Sequence, residues 1–299
     1  MLVTGANGQV GWELIRSLTP LGDVIGLDRQ GCDLSKPESL RDIVRSIAPD
    51  IVVNAAAYTA VDRAETEEDL AMIVNGTAVG VLAEESSRLA ALFIHYSTDY
   101  VFDGTKPSAY LEDDPPCPIN AYGRTKLAGE RAVRDVGAAY IVLRTSWVYA
   151  RRGRNFLRTV LRLAREQDRL RIVADQIGAP TWARSIAQAT TEIVRQAAPQ
   201  RAEKSLVSGL FHLTATGSTS WCGFAEAILE EAGRRGLLPD RRLPPIDAIS
   251  TEDYPQPAAR PKNSRLGGNG LQRRFAIELP QWRHELSLCL DDMRECSSH

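Results

Sequence analysis

The chain has 299 residues, 43% of them hydrophobic and 25% charged, which suits a soluble globular protein with room for two ordinary domains. Its 36 Lys and Arg nearly balance 38 Asp and Glu, giving a net charge of -2, and this excludes the concentrated basic face that a nucleic-acid partner needs. No run approaches the roughly 18 apolar residues of a membrane span, the N-terminus lacks a signal-peptide pattern, and the five scattered cysteines contain no CxxC, so a membrane span, a disulfide scaffold and a thiolate metal site are excluded and a cytoplasmic protein is expected.

Leu2-Val3-Thr4 reads as a strand, followed by glycines and then Val10, Leu14 and Leu18 on one helical stripe. Val24 to Leu27 is a second strand, and Ser35 with Glu38 has the spacing of a capping box ahead of Leu40, Ile43, Val44 and Ile47. Ile51-Val52-Val53, Leu92-Phe93-Ile94 and Tyr140 to Leu143 continue as buried strands separated by helical stretches. This alternation predicts an α/β fold with a doubly wound parallel sheet. The second half is less regular, with a helix around Phe156 to Ala164, a short strand at Leu170 to Val173 and proline-rich segments at 239–245 and 255–261. We therefore expect a domain over 1–150 and a smaller mixed α/β domain over 151–299, with elements around 183–214 that could return to the first.

Gly5, Gly8 and Gly11 form GxxGxxG between the first strand and an amphipathic helix. Glycines let backbone approach a pyrophosphate, and the helix N-terminus offers free N–H groups and positive potential, so a Rossmann-type dinucleotide site is expected over 1–150. The second strand ends in Asp28, which could accept from a ribose 2′-hydroxyl, whereas adjacent Arg29 could pair a 2′-phosphate. NADH and NADPH both stay open.

Tyr122 and Lys126 form Y-x-x-x-K in a helical stretch from Ala121 to Val136, which places both on one face. A phenol titrates near pH 10, and a neighbouring ammonium would favour the phenolate and lower that value. Only five residues of this Arg-rich chain are Lys (Lys36, Lys106, Lys126, Lys204 and Lys262), so a Lys at this spot is informative. Ser97 and Thr98, after the fourth strand, offer hydroxyls to a carbonyl oxygen beside Tyr122.

With these motifs the chain resembles the extended short-chain dehydrogenase/reductases and, among them, the dTDP-4-dehydrorhamnose reductase family. The matching stretches include NAAAYT at Asn54 to Thr59, STDYVF at Ser97 to Phe102, YGRTKLAGE at Tyr122 to Glu130, RTSWVY at Arg144 to Tyr149, DQIGAPT at Asp175 to Thr181 and RPKNSRL at Arg260 to Leu266. The resemblance implies reduction of the C4 ketone of dTDP-4-dehydro-L-rhamnose, the last step of dTDP-L-rhamnose synthesis for cell-surface polysaccharide, with a C-terminal substrate domain. It makes Tyr122 the proton donor, Lys126 a ribose-binding and tuning residue, and Thr98 the group polarising the ketone. Thr98, Asp99 and Trp147 match substrate contacts. Gly8, Gln9, Val10, Asp28, Asp33, Leu34, Ala57, Tyr58 and Thr59 match cofactor contacts, as does Tyr96 more weakly.

Two departures stand out. Only Met1, Leu2 and Val3 precede Thr4, short of the family's usual first strand, so that strand is expected to fray or its start to lie upstream. Some members dimerise around Mg²⁺ held by a carboxylate matching Glu13 and another in the helix after Thr181, where this chain carries Arg184; no metal is expected, and a homodimer would need other contacts. Two rival functions share the scaffold. One is a nucleotide-sugar epimerase or dehydratase, which commonly has Asp-Glu after the Thr where this chain has Asp99-Tyr100; the other is a non-catalytic regulatory subunit, against which Thr98, Tyr122 and Lys126 argue.

Overall fold

A computed structural model describes residues 1–137, 139–203, 208–238 and 243–297. Lys204 and the 239–242 part of the first proline-rich segment lie outside the described residues. The first half alternates strand and helix: β1 (Leu2–Thr4), α1 (Gln9–Leu18), β2 (Ile25–Leu27), α2 (Pro37–Ile47) and β3 (Ile51–Asn54). Two short helices, α3 (Val61–Ala64) and α4 (Glu68–Met72), run through a π-helical turn at Ile73–Thr77 into α5 (Ala78–Arg88). Then come β4 (Leu92–Thr98), α6 (Ala121–Val136) and β5 (Tyr140–Thr145).

The second half holds β6 (Val148–Tyr149), α7 (Phe156–Glu166), β7 (Leu170–Val173), β8 (Ile177–Gly178), β9 (Thr181–Trp182), α8 (Ala183–Ala202) and β10 (Gly209–His212). It ends with β11 (Thr219–Ser220), α9 (Trp221–Arg234), β12 (Ile246–Ile249), α10 (Gly270–Phe275) and α11 (Trp282–Ser297).

Among the described residues, six parallel strands form the central sheet in the order β10-β5-β4-β3-β1-β2, which bears out the doubly wound α/β fold. Both faces are covered, so consecutive residues of each strand serve opposite cores. Val3, Val53, Ile94 and Ile141 pack under α1 and α8 with Leu14, Leu18, Ile186 and Ile193. Their neighbours Leu2, Val52, Phe93 and Val142 pack under α2 and α5 with Leu40, Val44, Val79 and Leu82. A third core joins α7, α9 and α11 through Leu157, Leu161, Phe224, Ile228, Leu286 and Leu290. The chain crosses from β2 to β3 over β1, so the carboxyl ends of β1 and β3 flank the switch point where open α/β sheets bind ligands.

Two local expectations are corrected. β1 does not fray: Leu2, Val3 and Thr4 are fully buried and paired on both sides, with β2 and β3. The Ser35–Glu38 capping box does not form, because Ser35 Oγ and N both donate to Asp33 Oδ1, at 2.8 and 3.1 Å, and α2 begins at Pro37 with no side-chain cap. Proline has no N–H to cap and its fixed φ suits the first helical position.

Glu285 on α11 is fully buried and accepts the N–H of Trp182 at 2.9 Å. Burial pushes its carboxyl up to about 7 from an ordinary 4.5, although the Trp182 and Ser185 hydrogen bonds pull it down. Between those values the folded chain keeps a proton that the unfolded chain has released, so stability falls as pH rises through that window. Thermal unfolding at pH 5 and pH 8 should show a Tm drop in the wild type that exceeds the drop in Glu285→Gln by at least about 2 °C. Equal drops would show that Glu285 ionises normally.

Candidate active site

The loop after β1 is shaped by close approach. Gly5 adopts φ +70°, and a Cβ there would lie 2.8 Å from Ala56 N. A Cβ on Gly11 would lie 2.1 Å from Gly5 O. α1 starts at this turn with Gly8 extended and no side chain capping it, and its first turn carries no acid, so no side chain answers its leading N–H groups and dipole. That uncapped cradle fits a dinucleotide pyrophosphate. Asp28 stands beside it, with Oδ2 accepting from Asn7 Nδ2 at 2.7 Å and Oδ1 from the N–H groups of Gln30 and Gly31 at 2.9 and 3.2 Å. Arg29 is exposed and lies 3.6 Å from Asp33. Gln9 Oε1 accepts from Asn155 Nδ2 at 2.8 Å, which ties the loop to the start of α7. Val10 and Leu34 are built into the cores on opposite sides of the sheet.

Ala57, Tyr58 and Thr59 follow β3, and the middle one is held by Asn75, a residue with no signal in the sequence. Asn75 in the π-helical turn accepts from Tyr58 N at 2.8 Å and donates to Tyr58 O and Thr125 Oγ1, each at 3.1 Å. A single π turn is a frequent mark of a functional site.

α6 carries Tyr122 and Lys126 one turn apart, as the spacing predicts. Asn120 caps it by accepting from Gly123 N at 2.8 Å, and its amide also donates to Ala259 O at 2.8 Å. A Cβ on Gly123 would fall 2.1 Å from Tyr100 O, so glycine lets the helix start press against the turn after β4. Tyr122 meets Tyr100 edge-on at 5.7 Å. Burial pushes the Tyr122 phenol up to about 12, against a smaller downward pull from Thr98. Thr98 Oγ1 donates to Asp99 Oδ1 at 3.0 Å, and burial lifts Asp99 to about 6.

The expectation that an ammonium lowers the Tyr122 phenol is corrected. Lys126 is buried and engaged away from the phenol, donating to Tyr96 O at 2.6 Å and lying 3.1 Å from His95 Nε2, so its amine is satisfied by these two neighbours. Burial lowers it to about 8. The Tyr96 ring is not brought to the site either: its hydroxyl bonds Thr190 on α8 at 2.6 Å, and only its carbonyl reaches Lys126.

A cavity of about 460 Å³ opens beside Tyr100, walled by Phe156, Arg171, Trp221, Tyr254 and Arg260. Arg260 is fixed by Asp62 at 2.9 Å. Trp147 sits at φ 47°, a strained value for a bulky residue, and stacks on Trp221 with ring centroids 3.6 Å apart. Trp221 escaped the sequence reading; its only local signal is the Ser220 cap that opens α9. Near α1, Arg184 lies between two carboxylates, 3.2 Å from Glu13 and 2.8 Å from Asp292. A guanidinium at that place does not fit a cation site.

A parallel sheet with a glycine cradle at its switch point, and Tyr and Lys one helical turn apart at its carboxyl edge, defines a nucleotide-dependent dehydrogenase/reductase of the short-chain class. The family described as RmlD substrate binding domain matches residues 1–295. The dTDP-4-dehydrorhamnose reductase of Burkholderia thailandensis is 54% identical over 98% of both chains, and that of Escherichia coli K12 is 45% identical over 98% of this chain and 97% of its own. A dTDP-4-dehydrorhamnose reductase from Bacillus anthracis, solved in complex with NADP, superposes with a TM-score of 0.87 at 34% identity, covering 97% of this chain and 98% of that one. The chain belongs to the RmlD family of dTDP-4-dehydrorhamnose reductases. A Thermus thermophilus UDP-glucose 4-epimerase, with a TM-score of 0.79 at 18% identity, shares the fold alone.

Gly11→Ala should weaken binding of NADPH at least about tenfold, since relieving its overlap with Gly5 O costs on the order of 1–3 kcal/mol and must distort the cradle. Titration of NADPH fluorescence checks this beside an unchanged far-UV circular dichroism spectrum. A Kd within threefold of wild type would mean the loop does not touch the cofactor.

Proposed function

We propose that this protein reduces the C4 ketone of dTDP-4-dehydro-β-L-rhamnose to dTDP-L-rhamnose, using NADPH or NADH. The observation that carries the reading is Tyr122: burial keeps it protonated, it stands one helical turn from Lys126, and it meets Tyr100, a wall of the cavity. A bound reduced nicotinamide would supply the hydride. Tyr122 gives its proton to the oxygen that becomes the C4 hydroxyl, and a phenol that stays neutral at pH 7 has that proton to give. Thr98 hydrogen-bonds the same oxygen as charge develops on it. Lys126, with an amine near 8, is matched to restoring the proton through the ribose hydroxyls at neutral pH.

In this reading the dTDP group lies in the cavity, with Arg171 and Arg260 facing its phosphates and the aromatic walls its flat groups; residues 1–150 bind the cofactor while 151–299 close over the sugar nucleotide. Trp147, Thr98 and Asp99 contact the sugar. Gly5, Gly8, Gln9, Val10 and Gly11 hold the pyrophosphate, while Asp28, Arg29, Asp33 and Leu34 surround the adenosine and Ala57, Tyr58 and Thr59 border the dinucleotide. No helix among the described residues is long and apolar enough to cross a membrane, and Cys32, Cys117, Cys222 and Cys289 are free thiols, which supports a cytoplasmic setting. Arg184 between Glu13 and Asp292 supports a protein whose association, as monomer or homodimer, does not use a metal bridge.

Purified ketosugar should consume NADPH or NADH stoichiometrically, and Tyr122→Phe should lower kcat by about 10²–10⁴ with little change in KM. Absence of consumption with both cofactors, despite cofactor binding, would refute the reaction. Asp28 favours a 2′-hydroxyl and opposes a 2′-phosphate. Asp28→Ala should therefore move the ratio of kcat/KM values toward NADPH by more than about tenfold. An unmoved ratio would place the adenosine ribose elsewhere.

A further inference from the structure

Four polar side chains form a buried row across three strands and a helix: Thr4 on β1, Asn54 on β3, His95 on β4 and Lys126 on α6, none more than 2% exposed. Thr4 Oγ1 donates to Asn54 Oδ1 at 2.6 Å, Asn54 Nδ2 lies 3.1 Å from His95 Nδ1, and His95 Nε2 lies 3.1 Å from Lys126 Nζ. The reaction proposed above makes no use of His95.

The hydrogens of this row can be placed from one end. Asn54 Oδ1 also accepts the main-chain N–H of Ala56 at 3.2 Å. A backbone donor cannot be reversed, so the amide oxygen faces Ala56 and the amide nitrogen faces His95. That nitrogen can only donate, hence His95 Nδ1 accepts. His95 is neutral, since burial and the adjacent amine hold its proton affinity well below the ordinary value. A neutral imidazole with an accepting Nδ1 carries its hydrogen on Nε2, aimed at Lys126. Against an ammonium this sets donor against donor, whereas a free amine accepts the Nε2–H on its lone pair.

We propose that His95, locked as the Nε2–H tautomer by Asn54, is a positioning residue that favours the free-amine form of Lys126 and so sets the pH at which Lys126 exchanges its proton. Glu65, at the end of α3, accepts Ala121 N at the start of α6 at 2.8 Å, and the charged groups nearest Lys126 have partners other than its amine. Glu130, one turn further along, favours the ammonium, but it is bonded to Arg144 of β5 and to Ser97. Glu85 of α5 is held by Arg41, Arg45 and Arg88, and Glu68 of α4 by Arg124. Asp62 of α3 is held by Arg260, Arg63 by Glu67, and Asp99 after β4 by Thr98. Tyr122 and Tyr100 stay neutral through burial. His95 is thus the ionisable side chain in hydrogen-bond contact with Nζ, and the tautomer decides the sign of its effect.

The kinetic meaning rests on the reading of Lys126 as a proton carrier; the test of the proton affinity does not. The whole, cofactor-free protein labelled with [13Cε]lysine has only five lysines, and Lys126→Arg identifies the signal. The wild-type signal should titrate near pH 8. In His95→Leu, which keeps the site buried but removes the opposing N–H, the midpoint should rise by at least about half a unit. Desolvation alone, or an accepting Nε2, leaves it unchanged or lowers it, and either result overturns the proposal.

If His95→Leu does not fold, the unmodified protein still decides. Two-bond ¹H–¹⁵N correlation across its four histidines should show His95 protonated on Nε2, and a proton on Nδ1 overturns the proposal. In turnover, the high-pH limb of kcat/KM should move up with the lysine midpoint in His95→Leu, whereas a merely structural role would lower the profile without moving it. An enzyme inert toward the ketosugar would sink the proposed reaction and leave the two spectroscopic results to settle this one.

Discussion

The carbonyl oxygen of Gly5 occupies the space in which a side chain at position 11 would begin. That contact seats the start of α1 against the ends of β1 and β3, and much of the molecule follows from it. With α1 so placed, Leu14 and Leu18 reach the sheet core and meet Ile186 and Ile193 of α8. α8 leads to β10, which pairs with β5 at the edge of the sheet opposite β2. One close approach of backbone therefore fixes both an uncapped helix N-terminus at the switch point and the route by which the second half of the chain returns to the first. Each buried Leu or Ile along that route contributes on the order of 1.5–3 kcal/mol, so the helix is anchored well beyond what its own propensity would supply.

Charge inside this frame is handled in two ways. Glu130 and Arg144 are both nearly inaccessible and meet in two bonds of 2.8 and 2.7 Å, with Ser97 on the same carboxylate. Such a pair holds its charges because each compensates the other. At the carboxyl edge of the sheet, Tyr122, Asp99 and Lys126 have no opposite charge in contact, and burial drives each toward its neutral form. An uncompensated buried charge costs several kcal/mol, so neutrality is the cheaper state. The consequence is chemical: burial brings Lys126 to about 8 and Asp99 to about 6, and the phenol keeps its proton.

Local spacing made much of this legible. Three glycines between a strand and an amphipathic stripe, and Tyr and Lys four residues apart on a helix, are patterns that backbone geometry reads directly. Alternation along β4 is legible as well: His95 and Ser97 share one face, while Tyr96 shares the other with Ile94 and so faces α8. Asn75, Trp221 and the Asn54–His95 contact could not be read, because each acquires its role from a partner tens of residues away or more: Thr125 for Asn75, Trp147 for Trp221, and β3 against β4 for the last. The Ser35–Glu38 box failed for the opposite reason. Its spacing was right, but Asp33 two residues earlier captured the serine first.

The Glu13–Arg184–Asp292 cluster shows how one residue type alters what a fold depends on. Two carboxylates from α1 and α11 converge on the start of α8, and Arg151 lies 3.0 Å from Asp292. A divalent cation here would neutralise the acids only as long as the ion was bound, so packing of the three helices would follow the metal concentration. A guanidinium is always charged, presents a planar fork to both acids and arrives with the chain. Because α1 also carries the glycine cradle, the same ion pairs that join the helices hold that cradle in register with the half of the chain that walls the cavity.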